Sequence, residues 1–220
     1  YLSTEQDRRE WVEAVRVAPG ELERRCPHEA QLVQVVQQTL GRTPRYTSCT
    51  VGAVALDRVM SRHGWSAEER RGTYGFTSPD GSVTLAPHGT WSLLHELIHA
   101  AGVNDRGMAA WLAEGVTQWV TEVASTTHGL PYKPIYPEYV QLAQELGRAL
   151  SVDAYQLGRL LADAGPRAGA VLAQRLAAVR GGTAEQWLAL IGPGVQDHQP
   201  FHAMWFARGV TAVPGRRGAR

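Results

Sequence analysis

The chain has 220 residues, with 22 basic and 21 acidic side chains and a net charge of +1. That length suits one large domain, or two small ones, and is enough to bury a substantial core. The balanced charge carries no signal for nucleic acid or an anionic membrane, and no apolar run reaches the length of a membrane span. The one locally basic stretch, residues 208–220, reads as a solvated tail. Lys133 is the one lysine, which a GC-rich coding genome explains. The first residue is Tyr1 rather than Met, so a processed product or an excised fragment is expected. Cys26 and Cys49 allow one disulfide, worth about 3 kcal/mol by loop-closure entropy, or two free thiols. A bridge would argue for an oxidising compartment.

Along the chain, Ser3-x-x-Gln6 is a capping box that opens a helix with Trp11, Val12 and Val15 inward. Residues 27–40 predict a second helix, with Leu32, Val35, Val36 and Leu40 at helical spacing and Gly41 as its stop. Residues 45–51 are rich in β-formers and predict a strand, and residues 54–63 predict a helix ended by Gly64. Over residues 73–86 two strand-like segments flank Ser78-Pro79-Asp80-Gly81, a turn signal, so a hairpin is expected. Its polar edge could bind a peptide by adding a strand to the sheet. Helices follow at 90–101, capped by Thr90 and ended by Gly102, and at 108–124. After a proline-rich connector at 130–137 come helices at 138–150, 151–163, 166–180 and 184–191, the last opened by Thr183 with Gln186. The expected fold is α+β and mostly helical. A single domain over residues 1–210 would comprise an α+β part (1–130) and a helical lobe (131–210) with a cleft between them, followed by a flexible basic tail (211–220).

Within the helix at 90–101 lies His95-Glu96-Leu97-Ile98-His99. Positions i and i+4 share one helix face, so both imidazoles can reach one metal ion. Glu96 is then placed to take a proton from a water at that ion. The pattern alone is weak, since any surface helix can carry polar residues four apart. Here the flanks are apolar: Trp91, Leu93, Leu94, Leu97, Ile98, Ala100 and Ala101. Burying two histidines and a glutamate among them is costly without partners, which favours a bound metal.

A catalytic zinc site takes three protein ligands and leaves a position for water. Two downstream residues compete for the third place. Glu114, in Trp111-Leu112-Ala113-Glu114-Gly115, lies on the next predicted helix, and a helix hairpin would turn it toward the histidines. Asp105 extends the motif to H-E-x-x-H-x-x-G-x-x-D, with Gly102 as the turning residue. In the first arrangement the chain resembles the gluzincin metallopeptidases, whose glutamate helix often carries W-L-x-E-G. The resemblance covers roughly residues 73–122 and is to the clan, because the interval from His99 to Glu114 is shorter than in its long-spaced members. It implies a zincin-like fold with His95, His99 and Glu114 as Zn2+ ligands, Glu96 as general base, and a downstream Tyr or His as oxyanion donor. Tyr132, Tyr136, Tyr139, Tyr155, His198 and His202 are eligible for that last role. The Asp105 arrangement resembles the metzincins, which require a methionine turn beneath the site; Met108 is too close to Asp105 and Met204 is distant.

The functional expectation is a zinc metalloprotease acting on a protein or peptide substrate. It would be secreted or delivered outside a bacterial producer as a toxin or effector domain, with an inhibitor or immunity protein as a further partner; a cytoplasmic location is the alternative. A non-catalytic zinc-stabilised interaction domain is the rival class, and an intact Glu96 argues against it.

Overall fold

The computed structural model describes residues 24–25, 29–66, 73–78, 80–87 and 89–207. The expected N-terminal helix with Ser3, Gln6, Trp11, Val12 and Val15, the cysteine Cys26, and the tail at 211–220 lie outside them. Strand β1 (Arg24–Arg25), helix α1 (Glu29–Leu40), strand β2 (Ser48–Val51) and helix α2 (Ala53–Arg62) precede a hairpin of β3 (Gly75–Thr77) and β4 (Ser82–Leu85). A 3-10 turn, Thr90–Ser92, leads into α3 (Leu93–Ala100) and then α4 (Ala110–His128). The remaining helices are α5 (Pro137–Leu150), α6 (Ala154–Ala164), α7 (Ala168–Arg180), α8 (Ala184–Ile191) and α9 (Gln199–Ala207). The fold is α+β and mostly helical, as the sequence predicts.

The sheet is mixed. Its strand order is β1-β2-β4-β3, with β2 parallel to β4 and the outer pairs antiparallel. The predicted hairpin turn closes with a hydrogen bond from the Gly81 N–H to the Ser78 carbonyl at 2.9 Å. The Asp80 carboxylate accepts from the N–H and hydroxyl of Ser82, at 2.9 and 2.7 Å, which locks the register. This leaves β3 as an edge strand, packed against α3.

Helix α4, 19 residues long, is the centre of the fold. It packs on α1, α3, α5 and α6, so polar Thr117, Gln118 and Thr121 are buried together with Leu112 and Val116. One continuous core joins the two parts of the chain, running from Val36 and Leu97 through Leu112 to Leu157, Leu172 and Trp187. Cys49 of β2 is buried and disulfide-bonded.

Three details depart from expectation. The motif helix begins at Leu93, with Ser92 as its N-cap residue, rather than at Thr90. The helix expected from residue 151 begins at Ala154, because Ser151 adopts a left-handed conformation (φ 55°) and Asp153 forms a capping box with Gln156. Helix α9 was not expected: its buried Phe201 and Trp205 stack on each other 5.4 Å apart in an aromatic group with Trp187.

Gly115 explains the last letter of W-L-A-E-G. A Cβ there would stand 2.4 Å from the main-chain carbonyl of Tyr139, so only glycine lets α5 approach α4 this closely. Gly115→Ala gains up to about 1 kcal/mol of helix propensity. It also forces a backbone clash, which costs about 1–3 kcal/mol. A net loss of stability is expected, read as a lower denaturation midpoint; a stabilised variant would contradict the close approach.

Candidate metal centre

Helix α3 presents His95 and His99 one turn apart, and α4, packed beside it, presents Glu114 to both. His95 Nε2 lies 3.0 Å from Glu114 Oε2 and 3.1 Å from His99 Nε2, and His99 Nε2 lies 3.5 Å from Glu114 Oε1. These three donors are the one group among the described residues that could hold a metal ion, all within 4.8 Å of one another. A tetrahedral ion about 2.0–2.1 Å from each donor sets donor–donor edges of about 3.3–3.4 Å. The two imidazoles meet different oxygens of the Glu114 carboxylate, and with one donor atom per residue all three lie within 4.8 Å, so the residues could close on a small divalent cation.

The outer nitrogens of both rings are also held. The His99 Nδ1–H donates to the Val103 carbonyl at 2.6 Å, where the chain has turned back after Gly102 (φ 114°). The His95 Nδ1–H donates to Gln118 Oε1 at 3.1 Å. The Gln118 amide cannot flip without loss, because its Nε2 donates to Glu122 Oε1 and to the Lys133 carbonyl, each at 3.1 Å. Both rings are therefore held through Nδ1 with Nε2 turned inward, so that a bound cation would displace any Nε2 proton and find the orientation a metal ligand needs. Gln118 and the Val103 carbonyl are absent from the sequence reading. The available signal was spacing: Gln118 lies four residues after Glu114, on the same helix face.

Charge is balanced within the group. Burial alone would lower the His99 pKa, but the Glu114 carboxylate, with Glu96 and the Val103 carbonyl, outweighs it and raises it to about 9. Burial opposes the Glu114 charge, while His99 and His95 hold its carboxyl well below the ordinary range. Without metal the cluster is an ion pair, which a cation replaces on binding.

Glu96 is 7 % exposed and turned toward β3, where the Thr77 hydroxyl donates to its Oε2 at 2.7 Å. The donors and Glu96 open into a cleft of about 960 Å³. Of the six Tyr and His residues eligible as oxyanion donor, only Tyr136 lines it. Tyr136 caps α5 in a left-handed conformation (φ 52°), with its ring 6.3 Å from that of His95. Burial, and the Glu114 and Glu96 carboxylates, raise its phenol above the usual value. Tyr139 stacks behind Tyr136 at 5.7 Å and meets His198 edge-on, Tyr155 reaches toward Thr127, and His202 packs on Phe206. Asp105 is exposed on the loop after α3 and is not part of the donor group. Met108 is fully buried and Met204 packs into the core around α9.

Comparisons of the chain with known protein families, with curated proteins and with solved structures gave no match.

Alanine at His95, His99 or Glu114 is expected to abolish stoichiometric zinc binding in a chelator-competition titration, whereas Asp105→Ala keeps it. Gln118→Leu, which releases the His95 ring, is expected to weaken zinc by about 10–100-fold. Zinc lost in Asp105→Ala and kept in Glu114→Ala would reverse the ligand assignment.

Proposed function

We propose that this protein is a zinc-dependent peptidase of the gluzincin type, with His95, His99 and Glu114 as ligands and Glu96 as general base. The observation that carries this reading is the pair of inward-facing Nε2 atoms and the Glu114 carboxylate gathered within 4.8 Å, with a second glutamate, Glu96, beside them. Two imidazoles and one carboxylate are a donor set suited to zinc. A purely structural site would have no need of the Glu96 carboxylate at its open side.

His95, His99 and Glu114 would hold the zinc, which would supply Lewis-acid chemistry that makes a water acidic near neutral pH. Glu96 accepts the proton of the attacking water and delivers it to the departing amine. The Tyr136 hydroxyl, on the cleft wall by His95, donates a hydrogen bond to the oxygen that gains charge as the carbonyl is attacked. The outer edge of β3, unpaired among the described residues, runs beside Glu96 and can pair with an extended peptide, whose scissile carbonyl is then presented to the site. The disulfide at Cys49 favours a secreted or delivered enzyme, since such bonds persist in oxidising surroundings.

With an unfolded protein as substrate, chelation is expected to stop cleavage and zinc to restore it. Glu96→Gln should retain zinc and lose about 10²–10⁴-fold in turnover. Tyr136→Phe should lower kcat by about 10²-fold with little change in KM. Full turnover by zinc-loaded Glu96→Gln would remove Glu96 from the mechanism.

A further inference from the structure

We infer that Thr77, together with the bare Cα of Gly75, positions the Glu96 carboxylate; this rests on the reading of Glu96 as the base. Residues 75 and 77 of a strand point to the same face, here toward α3. Thr77 Oγ1 donates to Glu96 Oε2 at 2.7 Å and also lies 3.1 Å from the Glu96 main-chain oxygen. Among the described residues this hydroxyl is the one hydrogen-bonding partner of the carboxylate. The other oxygen, Oε1, sits over Gly75: a Cβ there would stand 2.7 Å from Oε1 and 3.0 Å from the carboxyl carbon. A side chain at position 75 would therefore push the carboxylate aside.

The two residues have different tasks. Thr77 pins one oxygen, and Gly75 leaves room for the other, which is thus free to accept a proton. Glutamate has three side-chain torsions, and packing alone does not fix the last of them. A misplacement of about 1 Å at a reacting group can cost about 10²-fold in rate. The edge strand expected to bind the substrate is thus also the strand that aims the base. Thr77 hydrogen-bonds to Glu96 and to no member of the donor triad, so it acts through Glu96.

The test uses the zinc-loaded full chain, Thr77→Val (nearly isosteric, without the donor), Thr77→Ser and Glu96→Gln, with fluorescein-labelled casein as probe. Thr77→Val is expected to lose about 10–100-fold in kcat at unchanged KM and zinc content, and Thr77→Ser to recover to within about threefold of wild type. A second arm needs no activity: Thr77→Val is compared by thermal unfolding in the wild-type and Glu96→Ala backgrounds. A Tm loss of about 3–6 °C is expected in the first and less than about 1 °C in the second. Equal losses in both backgrounds would overturn the inference. So would unchanged kcat in Thr77→Val while the wild type cleaves and Glu96→Gln does not. If the wild type leaves casein intact, the peptidase reading is what fails, and the Tm comparison still decides whether Thr77 holds Glu96.

Discussion

Two imidazoles and a carboxylate held within 4.8 Å of one another, on the wall of a largely apolar core, are the constraint to which the rest of the molecule answers. Each group loses hydration there, and that loss is repaid only by partners. The partners come from every surrounding element. Helix α4 brings Glu114 and Gln118, the loop after α3 brings the Val103 carbonyl, and the connector before α5 brings the Lys133 carbonyl. The contacts of Glu114 and Gln118 do not survive if α4 moves, which is why the close approach permitted by Gly115 matters to the site as well as to packing.

The hairpin answers the same constraint from the other side. Its turn is locked by Asp80, so the three-residue strand β3 is held in register against β4 although it is short and has no outer neighbour among the described residues. That fixed edge gives Glu96 a hydrogen-bond donor on the side away from the two histidines. A buried carboxylate without such a partner would carry an uncompensated desolvation cost. The site is therefore bounded by a helix pair on one side and a strand on the other, and each contributes a separate part of its chemistry.

Much of this arrangement was legible in the sequence. The motif helix, the hairpin, the glutamate helix and the Thr183 cap all follow from local rules of spacing, turn residues and capping. Glu114 was readable because a glutamate in an apolar helix needs a cation. Asp105 fitted an extended pattern that lacked its methionine turn, and the chain path separates the two: beyond the buried Val103 the loop leaves Asp105 exposed on the cleft rim, outside the donor group. Gln118 and Thr77 were not readable as site residues, and Tyr136 was readable only as one of six candidates. Their roles depend on which faces of different elements meet, and nothing local distinguishes Tyr136 from Tyr132 or Tyr139. Helix α9 escaped notice because its buried side is aromatic stacking rather than a regular apolar stripe.

The atoms that orient the two imidazoles differ in kind. One is the Gln118 side chain, while the acceptor for His99 and one anchor of Gln118 are main-chain carbonyls, at Val103 and Lys133. A main-chain oxygen is present whatever residue stands at its position. Replacing Val103 or Lys133 changes packing and surface charge but leaves the acceptor in place; only rerouting the backbone takes it away. Part of the tuning of this centre is thus written in the course of the chain rather than in its letters, so that sequences quite unlike this one at those positions could hold the same two rings in the same way.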